Sequence, residues 1–354
     1  MTETSSKKWW VLGAMGASLG LMVLDETIVG VALPTIRQDL DLSQTASHWV
    51  VNAYLLVFAA LAAAMGKLGD IVGLRRFFML GLAIFAVTSL AAGFAQNEAW
   101  IVAARALQGV GAAIILPGSM AMMMMVFPPE ERGVALGIYG SIGSCFMASG
   151  PLLGGLFTEF LTWRWIFWVN PLIVLVIALV VLAVWRDPPR TPQTERFDST
   201  GLITLVAGLG MLVMGLMQGP EWGWHAPAIL ILIAGGALSL IAFVVIELRR
   251  HAPLIEVDLF ANRTLATANL LIFTGQFSKT TIYILGALYL QHVLDMGALE
   301  AGVAILWAAA PVIIMAVTVG KVTDKWGERR PALFGLAINI AAFIWIAFLA
   351  NGSG

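Results

Sequence analysis

The sequence GKLGDIVGLRR at residues 66–76 follows a long apolar run, carries a cluster of charged residues and leads into a second apolar run. The same frame, G-K-x-x-D-x-x-G-x-R-R, recurs as GKVTDKWGERR at residues 320–330. Identical residues at every fixed position of the frame, each time between two membrane-length segments, indicate an internal repeat. A repeat of this kind is typical of transporters that are built from two related helical halves.

Each copy of this repeated motif predicts a short polar turn between two helices. Glycine permits a tight turn and positive φ, and an aspartate can cap the start of a helix. Paired arginines hold the following helix at the cytoplasmic surface. We therefore expect a gating loop formed by Gly66, Asp70, Gly73, Arg75 and Arg76 and by their counterparts Gly320, Asp324, Gly327, Arg329 and Arg330.

The composition of the chain is that of an integral membrane protein. Of its 354 residues, 60% are hydrophobic and only 12% are charged, and the mean hydropathy is +0.89. Many apolar runs reach the ~20 residues that span a bilayer. The formal net charge of −1 argues against a nucleic-acid partner. Neither Gly-Lys pair belongs to a phosphate-binding loop, and no His or Cys cluster has metal-ligand spacing, so we expect no cofactor.

The apolar runs predict an all-α bundle of eleven transmembrane helices. The predicted spans are 9–33, 48–66, 76–95, 99–126, 133–160, 164–185, 200–218, 227–247, 265–291, 300–320 and 331–350. Two longer polar connections, at 185–200 and 247–264, are candidate boundaries. Because the repeated motif follows the second and tenth helices, the predicted division is a six-helix half (1–186), a linker with two extra helices (187–264) and three helices of a second half (265–354).

The Lys and Arg residues predict the orientation in the membrane. Two of them, Arg37 and Arg164, lie on one side, and Arg105 and Lys279 lie within apolar segments. The rest share the other side: Lys7, Lys8, Lys67, Arg75, Arg76, Arg132, Arg186, Arg190, Arg196, Arg249, Arg250, Arg263, Lys321, Lys325, Arg329 and Arg330. This asymmetry predicts a cytoplasmic N-terminus.

Charged residues inside membrane segments are the first candidates for a transport site, because they are costly there. Asp25 and Glu26 lie in the first segment, and Arg105 lies in the fourth at a similar predicted depth. Adjacent helical residues point ~100° apart, so the two acids cannot both face Arg105. We expect one acid to pair with Arg105 and the other to face a cavity. Proton coupling and a structural buried ion pair are both open interpretations.

The ninth segment, which is the repeat counterpart of the first, contributes further candidates. Lys279 lies near its middle and must face water, a cavity or an acid. Either it is a partner for Asp25 or Glu26 across the two halves, or its ammonium group extends to the membrane surface. Together with the two acids, Lys279, Gln276 and Tyr283 are the candidate lining of a substrate cavity.

The fifth segment is rich in small residues that permit close helix approach. Gly150 and Gly154 have GxxxG spacing, Pro151 predicts a kink, and Gly155 extends the small-residue surface. Such a helix suits a sliding interface between the halves, although ordinary tight packing accounts for the same pattern.

These motifs together resemble the major facilitator superfamily, and within it the fourteen-helix drug/proton antiporters of the EmrB/QacA type. LDETIVGVALP at 24–34 resembles the helix 1 motif, residues 66–76 the signature loop, RALQGVGAA at 105–113 the helix 4 motif, and GPLLGG at 150–155 the end of the antiporter motif. The chain departs from the family pattern at Gly30, Ile71 and Phe146. It corresponds to the first eleven of the fourteen helices.

The resemblance implies proton-driven export of lipophilic or amphipathic compounds that are often cationic. It implies a multi-pass protein of the bacterial inner membrane whose partners are lipid, protons and a small solute, and it implies no enzymatic activity. Two alternatives stay open. One is a truncated relative or fragment that needs a partner chain or does not transport, since three helices of the family pattern are missing. The other is a proton-coupled importer of the same fold. The sequence leaves the oligomeric state open.

Overall fold

The computed structural model describes residues 2–187, 198–250, 253–296 and 298–352. These residues form eleven α-helices and two short 3-10 helices. The α-helices are α1 (Thr2–Asp39), α2 (Gln44–Val72), α3 (Leu74–Gly93), α4 (Glu98–Val126), α5 (Arg132–Phe160), α6 (Trp165–Val184), α7 (Ser199–Trp222), α8 (Pro227–Glu247), α9 (Arg263–His292), α10 (Ala298–Trp326) and α11 (Arg329–Gly352). Among the described residues, nine helices are long and apolar enough to cross a membrane. The predicted all-α membrane class is therefore confirmed.

Short polar side chains begin several of these helices. Ser43 accepts from the backbone N–H of Ala46 at the start of α2, at 3.1 Å. Asn97 accepts from the N–H of Trp100 at the start of α4, at 2.9 Å. Each such cap satisfies one of the backbone donors that a helix start leaves unpaired. Most of the polar connection predicted at 185–200 lies outside the described residues.

The largest difference from the predicted helix ends lies in the repeated motif. α2 continues to Val72, so Gly66 lies inside the helix and the prediction of a turn there is wrong. Gly320 lies inside α10 in the same way. The chain turns only at Gly73, where φ is 107°, and at Gly327, where φ is 79°. Glycine alone adopts such angles without strain, whereas an isolated glycine within a helix costs only about 1 kcal/mol.

Helices α1 to α6 pack together around two hydrophobic clusters. One cluster includes Met15 and Leu21 of α1 together with Phe78 and Phe85 of α3. The other begins at Leu24 and includes Ile28 and Ile36 of α1, Ile101 of α4 and Phe167 of α6. Asp25 lies on α1 where the two clusters meet, so its carboxyl group is placed between two apolar layers.

The remaining helices attach to this group at two places. α7 and α8 pack against each other, and α7 also contacts α2. α10 packs closely against α5, while α9 and α11 both contact α10. The exposed faces of α8 and α11 are strongly apolar, as expected where helices meet lipid. They carry Leu230, Ile231, Leu238 and Ile241 on α8, and Phe334, Ile338, Trp345 and Phe348 on α11.

Candidate functional site

A buried ion pair between α1 and α4 forms the centre of the site. Asp25 and Arg105 are both fully buried, and Nη1 of Arg105 donates a hydrogen bond to Oδ2 of Asp25 at 2.5 Å. The contact predicted from their matching depths is therefore confirmed. The structure also identifies which of the two adjacent acids makes it, a choice that the sequence left open.

Two amides complete the surroundings of the Asp25 carboxylate. Nε2 of Gln108 and Nδ2 of Asn170 both donate to Oδ1 of Asp25, at 2.9 and 2.7 Å. Gln108 in turn accepts from Nη1 of Arg105 at 2.7 Å. Three donor side chains therefore converge on one carboxyl group, which matches an ionised carboxylate that only accepts hydrogen bonds.

Arg105 is fixed on its other side by α2. Its Nε donates to the backbone carbonyl of Val50 at 2.9 Å, and its guanidinium lies over the ring of Tyr54 at 4.5 Å from the centroid. Within the described part of the chain, Nη2 of Arg105 has no hydrogen-bond partner. Asp25, Gln108, Val50 and Tyr54 therefore hold the guanidinium in place.

The network continues from Asn170 of α6 to α3. Nδ2 of Asn170 also donates to Oγ of Ser89 at 3.0 Å, and Ser89 donates to the carbonyl of Phe167 at 2.9 Å. Sequence reasoning missed Gln108, Asn170 and Ser89. A usable signal was present, because polar residues inside apolar segments are candidates by default and Gln108 follows Arg105 by three residues, which places both on one helix face.

Glu26 differs from its neighbour Asp25 in its exposure. Its side chain is exposed, whereas Asp25 is fully buried, so the expectation that the two acids point in different directions is confirmed. Glu26 lies one turn from Gly30, which is also exposed on the same face of α1. Gly30 begins a cleft of about 580 Å³ between the ends of α1 and α2. That cleft is lined by Gly30, Leu33, Pro34, Arg37, Gln38, Asp41, Leu42, Gln44, Ser47 and His48.

Among the three candidates on α9, the structure describes the side chain of Gln276 alone. Gln276 is exposed on α9, which contacts α10 and the short helix Val257–Ala261. The side chains of Lys279 and Tyr283 lie outside the described residues. A substrate cavity shared between α1 and α9 stays a prediction.

The first copy of the repeated motif connects α3 to the end of α6. The backbone N–H of Arg75 donates to Oδ1 of Asp187 at 3.1 Å, and Nη2 of Arg75 donates to the carbonyl of Leu182 at 3.1 Å. Asp70 and Arg76 are exposed at the end of α2 and the start of α3. This copy therefore presents its aspartate to the surroundings, and a role in gating stays a prediction.

The second copy joins α10 to the start of α5. The carboxylate of Asp324 accepts from the backbone N–H groups of Gly133 and Val134, at 2.8 and 3.0 Å. The helix-capping contact that the sequence suggested for the motif aspartate is thus present at Asp324. A Cβ added to Gly320 would lie 2.4 Å from the carbonyl oxygen of Gly133, so only glycine lets the backbones approach this closely. Arg329 and Arg330 are exposed in the first turn of α11.

The glycines of the fifth helix pack mainly against α1. A Cβ on Gly150 would lie 2.0 Å from Oγ1 of Thr27, and a Cβ on Gly154 would lie 3.2 Å from the carbonyl oxygen of Ile28. A Cβ on Gly155 would meet nothing within 4 Å. Pro151 lies within the continuous helix. Gly150 and Gly154 therefore hold α5 against the turn of α1 that carries Asp25 and Glu26.

Comparisons with known proteins agree with this architecture. The family model of the Major Facilitator Superfamily matches residues 15–354. The chain is 37% identical to the cephamycin export protein CmcT of Amycolatopsis lactamdurans, over 94% of this chain and 69% of that protein. It is 32% identical to the tetracenomycin C resistance and export protein of Streptomyces glaucescens, over 98% of this chain and 65% of that protein.

A third relative and a solved structure complete the comparison. The multidrug resistance protein Stp of Mycobacterium tuberculosis is 32% identical over 96% of this chain and 63% of that protein. The chain thus spans about two thirds of the length of these curated relatives. The proton:xylose symporter XylE shares the fold, with a TM-score of 0.55 and 14% identity over 91% of this chain and 70% of that chain.

The family model covers nearly the whole chain, the helical bundle matches a solved member, and the relatives are transporters and not enzymes. The chain is a multi-pass membrane protein that belongs to the major facilitator superfamily.

Proposed function

We propose that the protein is a secondary transporter that exports lipophilic or amphipathic, often cationic, compounds in exchange for protons. The names of its relatives, which refer to export of cephamycin and tetracenomycin C and to multidrug resistance, support an export role. We also propose that it lies in a bacterial inner membrane with its N-terminus in the cytoplasm, as the distribution of Lys and Arg indicates.

The observation that carries the proposal is the contrast between two adjacent acids on α1. Asp25 is fully buried and accepts from Arg105, Gln108 and Asn170. This network uses both oxygens of Asp25 as acceptors. Glu26 is exposed, so it can exchange a proton without breaking the network. We assign Asp25 to a fixed structural centre and Glu26 to proton coupling.

Competition at Glu26 would couple the two fluxes. An exposed carboxylate can hold a proton or lie close to a cationic solute, but it cannot do both at once. A cation that approaches Glu26 would therefore expel the proton, and a returning proton would release the cation. The cleft that begins one turn away at Gly30 offers an approach route to this face of α1.

The repeated motif would control access to this site from the cytoplasm. Contacts of Asp324 with Gly133 and Val134 join α10 of the proposed second half to α5 of the first. A contact that exists in one conformation and not in another shifts populations without touching the solute. We assign Asp70 and Asp324 this gating role, with residues 1–186 and 265–354 as the moving parts and residues 187–264 as the linker.

Dye efflux tests the proposed function. Cells that produce the protein should extrude a preloaded lipophilic cation such as ethidium, and a protonophore should abolish the efflux. Cells that produce the Glu26→Gln variant at equal membrane levels should also fail to extrude the dye. Efflux that continues unchanged after the proton gradient has collapsed would contradict proton coupling. Accumulation of the dye under an inward proton gradient would contradict export and indicate an importer.

A further inference from the structure

A pair of buried acids lies between α7 and α8. Asp198 immediately precedes α7 and Glu247 is the last residue of α8, and each is only 3% exposed. The two helices pack against each other, which brings the start of one beside the end of the other. This pair shares no contact with the network around Asp25 among the described residues, and the proposed export mechanism does not use it.

One oxygen of each carboxyl group has a clear role. Oδ1 of Asp198 accepts from the backbone N–H of Gly201 at 2.8 Å and lies 3.3 Å from Nη2 of Arg250. Oε2 of Glu247 accepts from the backbone N–H of Ile255 at 3.1 Å. Asp198 thus caps α7, and Glu247 holds the connection that leads towards α9.

The other two oxygens, Oδ2 of Asp198 and Oε1 of Glu247, are buried and have no donor within the described part of the chain. Both lie beside Gly201, where an added Cβ would be 2.8 Å from Oδ2 and 2.3 Å from Oε1. Both oxygens approach this one point, so the two carboxyl groups lie side by side, and only a hydrogen bond between them would give either oxygen a partner among the described residues. Such a bond needs a proton, because two ionised carboxylates offer only acceptors.

We propose that Asp198 and Glu247 form a proton-binding site that holds one shared proton at neutral pH. Two buried carboxylates in contact cannot both remain charged, and a shared proton satisfies both orphaned oxygens with one hydrogen bond. Gly201 leaves the space in which the two oxygens meet. The inference rests on these contacts alone and holds whether or not Glu26 couples transport to protons.

The other described groups around the pair are one cation and several apolar side chains. Arg250 offers one positive charge from the end of α8, and its side chain is 42% exposed. The neighbouring elements contribute apolar groups, with Ala64 from α2 and Leu254 from the connection in one cluster with residues of α7 and α8. Within the described residues, no group of three or more potential ligands could hold a metal ion.

The shared proton would fix how the linker is attached to the rest of the molecule. Glu247 holds Ile255, and Leu254 packs with Ala64 of α2, Leu205 of α7 and Phe243 of α8. Removal of the proton would leave two buried negative charges at this junction, and their repulsion would loosen it. Rising pH should therefore weaken the attachment of the connection that leads to α9.

Infrared spectroscopy of the purified protein tests the shared proton directly. In a detergent without ester groups at pH 7, the wild type should show the C=O stretching band of a protonated carboxyl group. The difference spectrum against Glu247→Gln should contain this band, and so should the difference spectrum against Asp198→Asn. The exposed acid Asp258 provides the control, because Asp258→Asn should leave the band unchanged. Absence of the band from both difference spectra would overturn the proposal.

Thermal unfolding provides an independent readout. The folded wild type holds a proton that the unfolded chain releases, so its stability should fall as the pH rises from 5 to 7. In Glu247→Gln the amide can donate to Asp198 without any proton, so the Tm should fall less over the same interval. An equal fall in Tm for the wild type and for Glu247→Gln would contradict the shared proton, provided that both proteins are folded at pH 7.

Discussion

At the scale of single residues, the site depends on an ion pair that lies entirely inside the bundle. Charges without contact to water are tolerated only when they are paired and fully hydrogen-bonded. Asp25 and Arg105 are paired with each other and share hydrogen bonds with Gln108, Asn170 and the carbonyl of Val50, which leaves Nη2 of Arg105 as the one atom of the two charged groups without a partner among the described residues. Removal of either charge leaves the other one buried and uncompensated, and this makes stability the first property to measure.

Arg105→Ala should destabilise the protein strongly. The variant leaves the Asp25 carboxylate buried without its cation, a loss that typically costs roughly 3–5 kcal/mol. The measurement is thermal unfolding in detergent, with the exposed Arg37 as a matched control in Arg37→Ala. A Tm for Arg105→Ala equal to that of the control would show that the ion pair does not stabilise the fold.

The sequence predicted part of this centre, and the reasons are physical. Depth along a transmembrane helix follows from residue counting, so the contact between Asp25 and Arg105 could be expected. Helix rotation is not fixed by counting, so the choice between Asp25 and Glu26 needed the structure. Asn170 and Ser89 were missed because their role depends on how α6 and α3 pack against α1, and a single sequence does not contain that packing.

At the scale of helices, close packing between α1 and α5 positions both acids. Gly150→Ala should be destabilising by roughly 1–3 kcal/mol, because the new Cβ would overlap the side chain of Thr27. Gly155→Ala, on the open side of the same helix, is the matched control: it has the same gain in helix propensity without the overlap, so it should not lower the Tm. If the two variants have equal Tm values, the close approach of α1 and α5 does not contribute to stability.

Helix ends could be predicted less well than the helices themselves. Charged residues from Lys67 to Arg76 suggested that α2 stops at Gly66, yet none of the residues before Gly73 requires a non-helical conformation. A polar stretch next to the membrane can continue a helix into water at little cost. The turn therefore depends on the one glycine whose φ of 107° other residues rarely adopt.

At the scale of the whole molecule, the contact between α10 and α5 is the clearest link across the repeat. Asp324→Ala should slow transport and leave the affinity for the solute almost unchanged. The lost hydrogen bonds lie at the start of α5, roughly 25 Å along that helix from Gly150, which packs against Thr27 beside Glu26. Efflux rate and equilibrium binding of the same dye provide the two measurements. The control is Glu328→Ala, which removes an exposed acid directly after Gly327.

The opposite outcome would assign Asp324 another role. If Asp324→Ala weakens dye binding as much as it slows efflux, Asp324 belongs to the solute site and not to a gate. The repeat of the motif made a link between two halves predictable from the sequence. Which helix each aspartate meets was not predictable, since it depends on the arrangement of the halves in space.

The most direct test of the account is proton release from the purified protein when a lipophilic cation binds. Ethidium added to detergent-solubilised protein in weak buffer should release protons from the wild type, from Glu26→Asp and from the exposed-acid control Glu159→Gln. Glu26→Gln should bind the dye without releasing protons, because its amide cannot titrate. Undiminished proton release from Glu26→Gln would contradict the assignment of Glu26 as the coupling group.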